Sequence, residues 1–299
     1  MTVVAHPMRG ATSERIAQHE HVSAKRIKQV DTQRVGWSVA QSGRGPGLLF
    51  LHGTGAAKHS WRTLAPLIDH RFTVFAPDLP GHGDSEIFDP SVMSLAEMAR
   101  ETGALIDALN VSPQVIVGHS AGAALAMRLV LDGYAAPSAI VSINGAFMVF
   151  GGVINSVLAP LAGLCSGSRL VTHALARKAR DLNAVKRVIA STGSKLDDDS
   201  IARYRAVLQK PAHLEATFAM MANWDLGTLR HDMRRNSIPL HLLVATQDGA
   251  VEPRQGAIVA RECPHATLQY LPGLGHVAHE EAPEQVAQYV LQMAQQWGG

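Results

Sequence analysis

The amino-acid sequence predicts an α/β protein with a mostly parallel central sheet, helices on both faces of that sheet, and a helical cap inserted late in the chain. Short apolar segments of strand type alternate with amphipathic segments of helical type, a pattern typical of parallel sheets covered on both faces. The apolar run at residues 48–51 has no polar interruption, as expected for a strand buried on both faces. From residue 145 to about 235 the strand pattern stops and helical segments take over.

The individual elements follow from local patterns along the chain. Residues 26–30 and 36–40 alternate apolar and polar side chains, which predicts two half-buried strands. A capping box formed by Ser94 and Glu97 predicts the start of a helix that continues to about Leu109. The other predicted elements are strands at residues 48–51, 72–76, 115–117, 139–143, 240–244 and 267–271, helices at residues 61–68 and 121–131, and a last helix from Pro283.

These patterns predict three parts of the chain: a flexible N-terminal arm at residues 1–24, an α/β core at residues 25–144 and 236–299, and a helical cap at residues 145–235. No charged residue occurs between residues 133 and 168, a stretch long enough for a membrane span. Asn144, Pro160 and several glycines interrupt this stretch. We therefore expect a buried strand followed by an apolar lid segment.

Composition excludes several classes of protein. Apolar residues make up 46% of the 299 residues, which excludes a largely disordered chain. The net charge is only +2, so no nucleic-acid partner is expected. Two cysteines, Cys165 and Cys263, cannot form a disulfide framework, and the first twenty residues lack the apolar core of a secretory signal. We therefore expect a cytoplasmic location.

The strongest chemical signal is the pentapeptide G-H-S-A-G at residues 118–122. It follows a predicted strand and opens a predicted helix, which is the context of a nucleophile elbow. Glycines are needed at its ends because side chains there would collide with the neighbouring backbone. The helix start also places N–H groups near the serine oxygen. Ser120 is therefore the predicted nucleophile.

A serine nucleophile needs a base and an acid, and both candidates follow later strands. His276 lies in a glycine-rich loop after the last predicted strand, and Asp248 lies in a turn after the strand before it. The chain order Ser120, Asp248, His276 is the order expected after a nucleophile elbow. We expect His276 to act as the base and Asp248 to orient its ring. Asp225 is the alternative acid.

A second histidine, His279, lies three residues beyond His276 and is expected to solvate the start of the following helix. The two histidines have no third ligand at a suitable spacing for zinc. The sequence therefore predicts neither a metal site nor a cofactor.

Backbone donors for an oxyanion are predicted at two places. Ala121 follows the nucleophile and supplies one N–H group. Thr54, in the H-G-T-G tetrapeptide that ends the strand at residues 48–51, is the expected second donor. A third glycine-rich loop, at residues 78–83, is expected to give structural support at the same edge of the sheet.

The predicted cap contains apolar residues that suit the wall of a hydrophobic pocket. Methionines among them add adaptability to irregular ligand shapes. The alternative is that these side chains only pack the cap helices against each other. The residues predicted to bind substrate are Phe147, Phe150, Met220, Met221 and Trp224.

Taken together, these motifs resemble the α/β-hydrolase superfamily. The resemblance covers about residues 26–298 and is carried by residues 52–55, 78–83 and 118–122 together with Asp248 and His276. Within the superfamily, the chain is similar to the hydrolase-like magnesium-chelatase accessory proteins of bacteriochlorophyll synthesis. The most specific similarity is M-M-A-N-W-D-L at residues 220–226, because it lies in the variable insertion. This resemblance implies a role around tetrapyrrole metallation.

The resulting functional prediction is a serine hydrolase that acts on an ester of a hydrophobic substrate, linked to bacteriochlorophyll synthesis. The expected partner is a hydrophobic ester or a tetrapyrrole, and association with a membrane surface or with magnesium chelatase is also compatible. One alternative is a tetrapyrrole-binding or chelatase-assisting protein without turnover. Another is a carbon–carbon bond hydrolase with the same triad. Ser120 argues against dehalogenase or epoxide hydrolase chemistry, for which this superfamily uses an aspartate nucleophile.

Overall fold

The computed structural model of this chain describes residues 26–148 and 168–295. Three features named above lie outside the described residues: the predicted arm at residues 1–24, Phe150, and the part of the predicted lid at residues 149–167. No helix in the described ranges combines the length and the apolarity that crossing a bilayer requires.

Within the described residues, nine strands form one sheet. The strands are β1 (Arg26–Asp31), β2 (Val35–Gly43), β3 (Gly47–Leu51), β4 (Thr73–Pro77), β5 (Glu86–Ile87), β6 (Pro113–His119), β7 (Ala139–Ile143), β8 (Leu240–Ala245) and β9 (Ala266–Leu271). Their spatial order is β1-β2-β4-β3-β6-β7-β8-β9, and β5 pairs with β2. β2 runs antiparallel to its neighbours, and all pairings from β4 to β9 are parallel. The predicted mostly parallel sheet is confirmed.

Helices connect these strands and cover the sheet. They are α1 (Ala65–Ile68), α2 (Leu95–Ala108), α3 (Ala121–Leu131), α4 (Arg169–Lys178), α5 (Leu182–Ser191), α6 (Asp198–Leu208), α7 (Pro211–Asn223), α8 (Leu226–Asp232), α9 (Arg254–Glu262), α10 (Ala278–Glu281) and α11 (Pro283–Gln295). At the start of α2, the hydroxyl of Ser94 accepts a hydrogen bond from the Glu97 N–H at 3.3 Å, which is half of the predicted capping box.

Both faces of the parallel strands are buried, because successive residues of a strand point to opposite faces. Leu49 and Ile116 belong to one apolar cluster with residues of α2 and α3. Leu48 and Val115 belong to a second cluster with residues of α1 and α11. All four side chains are inaccessible to solvent. Functional groups therefore collect at the carboxyl ends of the strands, as is usual for open parallel sheets.

Two local predictions are wrong. The helix predicted at residues 61–68 is a 3₁₀ turn at Lys58–Trp61 followed by the short helix α1. Pro66 explains this break, because proline has no N–H group and is favoured in the first turn of a helix. The two-residue strand β5 was not predicted, since two residues show no periodicity.

Helices α4 to α8 lie between β7 and β8, and the described part of this insertion, residues 168–235, contains no strand. α4 packs against α7, α5 packs against α6, and α8 contacts α3 of the core. The insertion therefore follows the seventh strand, one later than the sequence indicates, because β5 adds a strand. Its helices reach the carboxyl edge of the sheet through contacts described below.

Candidate active site

Ser120 lies on a sharp turn between β6 and α3. Its backbone has φ 51° and ψ −118°, which is a strained conformation for any residue other than glycine. The turn is close-packed: a Cβ atom at Gly122 would overlap the Leu51 carbonyl, and one at Gly118 would overlap the backbone of Ala123. This geometry presents Ser120 at the carboxyl edge of the sheet, at the start of α3.

Asp248 and His276 form a direct contact. The His276 Nδ1 lies 2.8 Å from Asp248 Oδ2, and both side chains are buried. The other oxygen of Asp248 accepts hydrogen bonds from the N–H groups of Ala250 and Val251, each at 2.8 Å. Since a carboxylate only accepts, Nδ1 carries the proton and the Nε2 atom of a neutral His276 is left as a proton acceptor. The alternative acid, Asp225, is exposed and caps α8 by accepting from the Thr228 N–H at 3.0 Å.

Two side chains that the sequence analysis did not single out hold the His276 backbone. His119 Nε2 donates to the His276 carbonyl oxygen at 2.9 Å, and Asn144 Nδ2 donates to the same oxygen at 2.7 Å. Asn144 Oδ1 accepts from the Ala245 N–H at 2.7 Å, which ties this arrangement to β8. His119 is the residue before Ser120, so these bonds anchor the loop of His276, called the base loop for the predicted role of His276, beside Ser120. The available signal was position, because both residues lie at the carboxyl ends of buried strands.

His279 does not solvate a helix start; that expectation is wrong. The side chain is fully buried, and its Nε2 lies 2.7 Å from the hydroxyl of Ser60. Burial, with additional repulsion from His276, lowers the pKa of His279 to about 3. Burial also holds the pKa of His119 well below its usual value. Both rings are therefore neutral. They pack against each other in a tilted arrangement, with their centroids 4.6 Å apart.

The two predicted oxyanion donors lie on either side of Ser120. Ala121 opens α3, and the first N–H groups of a helix have no acceptor within the helix. The loop that contains Thr54, called the oxyanion loop for its predicted role, follows β3 and comes close to Ser120. A Cβ atom at Gly53 would lie 3.1 Å from the Cβ of Ser120. The Thr54 hydroxyl contacts the sulfur of Met220 at 3.6 Å, so α7 of the cap covers this loop.

His213 of α7 joins the two glycine-rich loops that follow β3 and β4. Its Nδ1 accepts from the Gly83 N–H at 3.1 Å, and its Nε2 donates to the Gly55 carbonyl at 3.1 Å. This pattern requires a neutral ring, and burial lowers the pKa of His213 to about 3. His213 thus fixes the position of the oxyanion loop relative to the cap. Sequence analysis missed it, since a lone histidine in an amphipathic helix carries no signal.

The loop at residues 78–83 is held by the carboxylate of Asp78. This fully buried side chain accepts from the N–H groups of Lys58 (2.6 Å) and Asp84 (2.8 Å), and it pairs with the Lys58 ammonium at 2.5 Å. The contacts join the loop to the segment after Thr54.

Of the residues predicted to line a pocket, four are described. Met220 is fully buried, and Met221 and Trp224 are half-buried on or next to α7. Phe147 is not on the cap surface: it is 1% exposed, belongs to the core cluster with α3, packs against Gly145 and lines a small cavity together with Asp248. Within residues 26–148 and 168–295, no group of three or more potential ligands is placed to hold a metal ion.

A segment of the cap, residues 192–194, is hydrogen-bonded to both the loop of Asp248 and the loop of His276. The Thr192 carbonyl accepts from the N–H groups of both Gly249 (3.0 Å) and His276 (3.2 Å). The Ser194 hydroxyl accepts from the Val277 N–H at 2.9 Å. Gly193 has φ +80° and packs so closely that a Cβ atom would overlap the Gln247 carbonyl. We call residues 192–194 the clamp.

Glu280 makes a second connection between the cap and the base loop. One of its carboxylate oxygens accepts from the hydroxyls of Ser60 and of Tyr204 on α6, each at 2.6 Å. Because Ser60 donates its proton to Glu280, it accepts from His279. Burial raises the pKa of Glu280 to about 7 despite these hydrogen bonds.

Comparison with known proteins identifies the family. A sequence profile of the Alpha/beta hydrolase family matches residues 48–289, a range that contains the elbow, Asp248 and His276. The chain belongs to this family. The predicted α/β-hydrolase fold is thereby confirmed, and a solved α/β-hydrolase-fold protein from Burkholderia ambifaria is similar in structure, with a TM-score of 0.73 and 24% identity over 89% of this chain and 100% of that one.

Two curated relatives extend the comparison. The magnesium-chelatase 30 kDa subunit of Rhodobacter capsulatus is 36% identical over 264 residues, which are 87% of this chain and 92% of that protein. The resemblance stated from sequence motifs is confirmed by this match. A more distant relative, the sn-1-specific diacylglycerol lipase of Mus musculus, is 25% identical over 80% of this chain and 78% of that protein.

The clamp generates a first prediction. Gly193→Ala should slow the labelling of Ser120 by a fluorophosphonate probe by roughly ten- to a hundredfold, because displacement of the base loop misaligns the reacting groups. Gly133→Ala is the matched control, since Gly133 also has positive φ (+75°) but no atom lies within 4 Å of its Cβ position. Equal labelling rates for the two variants would contradict a positioning role of the clamp.

Glu280 generates a prediction about pH. Its pKa is about 7 in the folded protein against 4.5 in a free side chain, so between these values the folded state binds more protons than the unfolded state. Its contribution to the free energy of unfolding is present below pH 4.5 and is lost as pH rises through 7. Glu280→Gln should therefore gain about 3 kcal/mol relative to wild type between pH 4.5 and 8.

Urea unfolding across this pH range measures the difference, with Glu284→Gln, an exposed site on α11, as the control. Parallel stability profiles for wild type and Glu280→Gln would show that Glu280 keeps an ordinary pKa.

Proposed function

We propose that this protein is a serine hydrolase that cleaves an ester of a hydrophobic substrate, in the service of bacteriochlorophyll synthesis. The observation that carries the proposal is the 2.8 Å contact between His276 Nδ1 and Asp248 Oδ2 beside the strained elbow of Ser120. This contact fixes the ring tautomer in which Nε2 accepts a proton. A glycine-rich turn without a chemical role would need neither the Asp248 carboxylate nor the His276 ring beside it.

In the proposed reaction, Ser120 Oγ attacks the ester carbonyl carbon while its proton passes to His276. The oxyanion is stabilised by the N–H groups of Thr54 and Ala121. The tetrahedral intermediate then collapses, the carbon–oxygen bond to the alcohol breaks, and the alcohol leaves with the proton from His276. Water, deprotonated by His276, hydrolyses the acyl-enzyme and releases a carboxylic acid with Ser120 restored.

A hydrophobic substrate is favoured by the apolar side chains of α7 near the loop of Thr54. Met220 lies against the Thr54 hydroxyl, and Met221 and Trp224 continue along the same segment. Among the relatives, the name of the mouse protein specifies a lipid ester, and the name of the Rhodobacter protein refers to magnesium chelatase. A tetrapyrrole that carries an ester matches both the apolar side chains of α7 and the reference to magnesium chelatase in the name of the Rhodobacter relative.

The second candidate is a tetrapyrrole-binding protein that assists magnesium chelatase without turnover. It is favoured by the relative named as a chelatase subunit, which aligns over 87% of this chain. It is also favoured by the complete burial of Met220, which contacts Thr54 and covers the oxyanion loop. The two candidates differ in whether Ser120 forms an acyl intermediate.

Replacement of the nucleophile tests the first candidate. Ser120→Ala should lower the hydrolysis of hydrophobic esters by roughly 10⁴- to 10⁶-fold and leave the circular dichroism spectrum unchanged. Ser237→Ala, at an exposed serine, is the control. Retention of more than about a tenth of the wild-type rate would remove Ser120 from the role of nucleophile. Wild-type protein that turns over no ester in a broad panel would favour the second candidate.

Ligand binding tests the tetrapyrrole assignment separately from turnover. Magnesium-protoporphyrin monomethyl ester should bind the Ser120→Ala protein saturably at micromolar concentration and quench its tryptophan fluorescence, after correction for porphyrin absorbance. Trp224→Phe in the same background should remove part of the quenching, because Trp224 is one of the residues proposed to contact the ligand. No saturable binding, together with a preference for acetate esters in wild type, would leave a small-ester hydrolase.

A further inference from the structure

Helices α4 and α5 of the cap carry a concentration of positive charge. Residues 168–195 contain seven lysines and arginines and a single acidic residue, Asp181, which gives a net charge of +6. The whole chain has a net charge of only +2. The remaining residues therefore carry a net charge of −4, opposite in sign to this segment.

Most of these cations are exposed and unpaired. Lys186 pairs with Asp198 at 2.7 Å, and Arg187 lies 3.7 Å from Asp181. Five others are exposed and form no ion pair within the described part of the chain: Arg169, Arg177, Lys178, Arg180 and Lys195. Surface cations are usually balanced by neighbouring carboxylates, so a field of this size is available to an external anion.

On helix α4, cationic side chains and one large apolar side chain are exposed on the outer face. Thr172 and Ala176 are buried on its inner face. Leu170, His173 and Arg177 are spaced three and four residues apart, which places them on one outer stripe. Leu170 is 87% exposed, and on α5 Val188 is 55% exposed beside Arg187. These side chains are among the most exposed large apolar groups of the described residues.

We propose that this surface docks the protein on a membrane that contains anionic phospholipids. We call it the basic cap surface and define it by Arg169, Leu170, Arg177, Lys178, Arg180, Val188 and Lys195. Cations attract the anionic headgroups, and isolated apolar side chains among them reach the acyl boundary below. A nucleic-acid backbone offers phosphates without an apolar layer beneath them, so it leaves Leu170 and Val188 without a partner.

Docking by this surface would place the candidate active site close to the bilayer. The inner face of α4 packs against α7, and α7 carries both Met220 and His213, which contact the oxyanion loop. A ligand dissolved in the membrane then meets the cap first. This inference goes beyond ester hydrolysis, and it stands or falls on binding alone, whether or not Ser120 turns over a substrate.

Flotation of the full-length protein with vesicles tests the proposal. The protein should float with phosphatidylcholine vesicles that contain phosphatidylserine, should not float with phosphatidylcholine alone, and should dissociate at high salt. The triple variant R177E/K178E/R180E should lose at least about tenfold in the fraction bound. Leu170→Ser, which keeps the charge, should weaken binding by a smaller factor.

The matched control is K28E/R44E/R71E, which makes the same change in net charge at exposed positions outside the cap. It should bind anionic vesicles like wild type, and circular dichroism should show all variants to be folded. Equal losses for the two triple variants would overturn the proposal by showing that total charge alone governs binding. Absence of wild-type binding would overturn it and leave an acidic protein as the partner of this surface.

Discussion

The backbone of His276 is held by hydrogen bonds at both its carbonyl and its N–H group, and the candidate triad depends on this restraint. Its carbonyl accepts from His119 and Asn144, which belong to the sheet edge, and its N–H donates to Thr192, which belongs to the cap. The His276 ring contacts Asp248 through Nδ1 at 2.8 Å. The backbone bonds and the carboxylate together hold the ring in its orientation. A loop free on either side would lose the alignment on which proton transfer depends.

Neutral histidines make this packing possible. Burial keeps the pKa values of His52, His119, His213 and His279 far below the ordinary value, so each ring donates at one nitrogen without bringing a charge into the core. Two of them, His52 and His213, also accept a hydrogen bond at the other nitrogen, from the N–H groups of Leu79 and Gly83. A lysine or arginine in these places would need a buried counter-ion, which is costly at this depth. Imidazole is thus used here as a rigid, uncharged link.

Sequence reasoning is most specific where the signal is local. The elbow around Ser120 combines glycines, a strand and a helix within a few residues, and His276 and Asp248 follow strands in a fixed order. Asn144 follows a buried strand, but its partner His276 lies 132 residues away, so the contact itself has no local signal. Thr192 bonds through its backbone carbonyl, an atom common to every residue. The helix predicted at residues 61–68 starts later than expected, because Pro66 lies in the first turn of α1.

The clamp at residues 192–194 has a consequence for modularity. Insertions of this type are commonly regarded as exchangeable attachments to a conserved scaffold, yet here the insertion supplies backbone bonds to the loops of both Asp248 and His276. A chimera that exchanges the whole segment between β7 and β8 would remove part of the support of the loops that carry Asp248 and His276. The structural unit that supports Asp248 and His276 therefore extends into the insertion. A graft should keep residues 192–194 together with the α/β core.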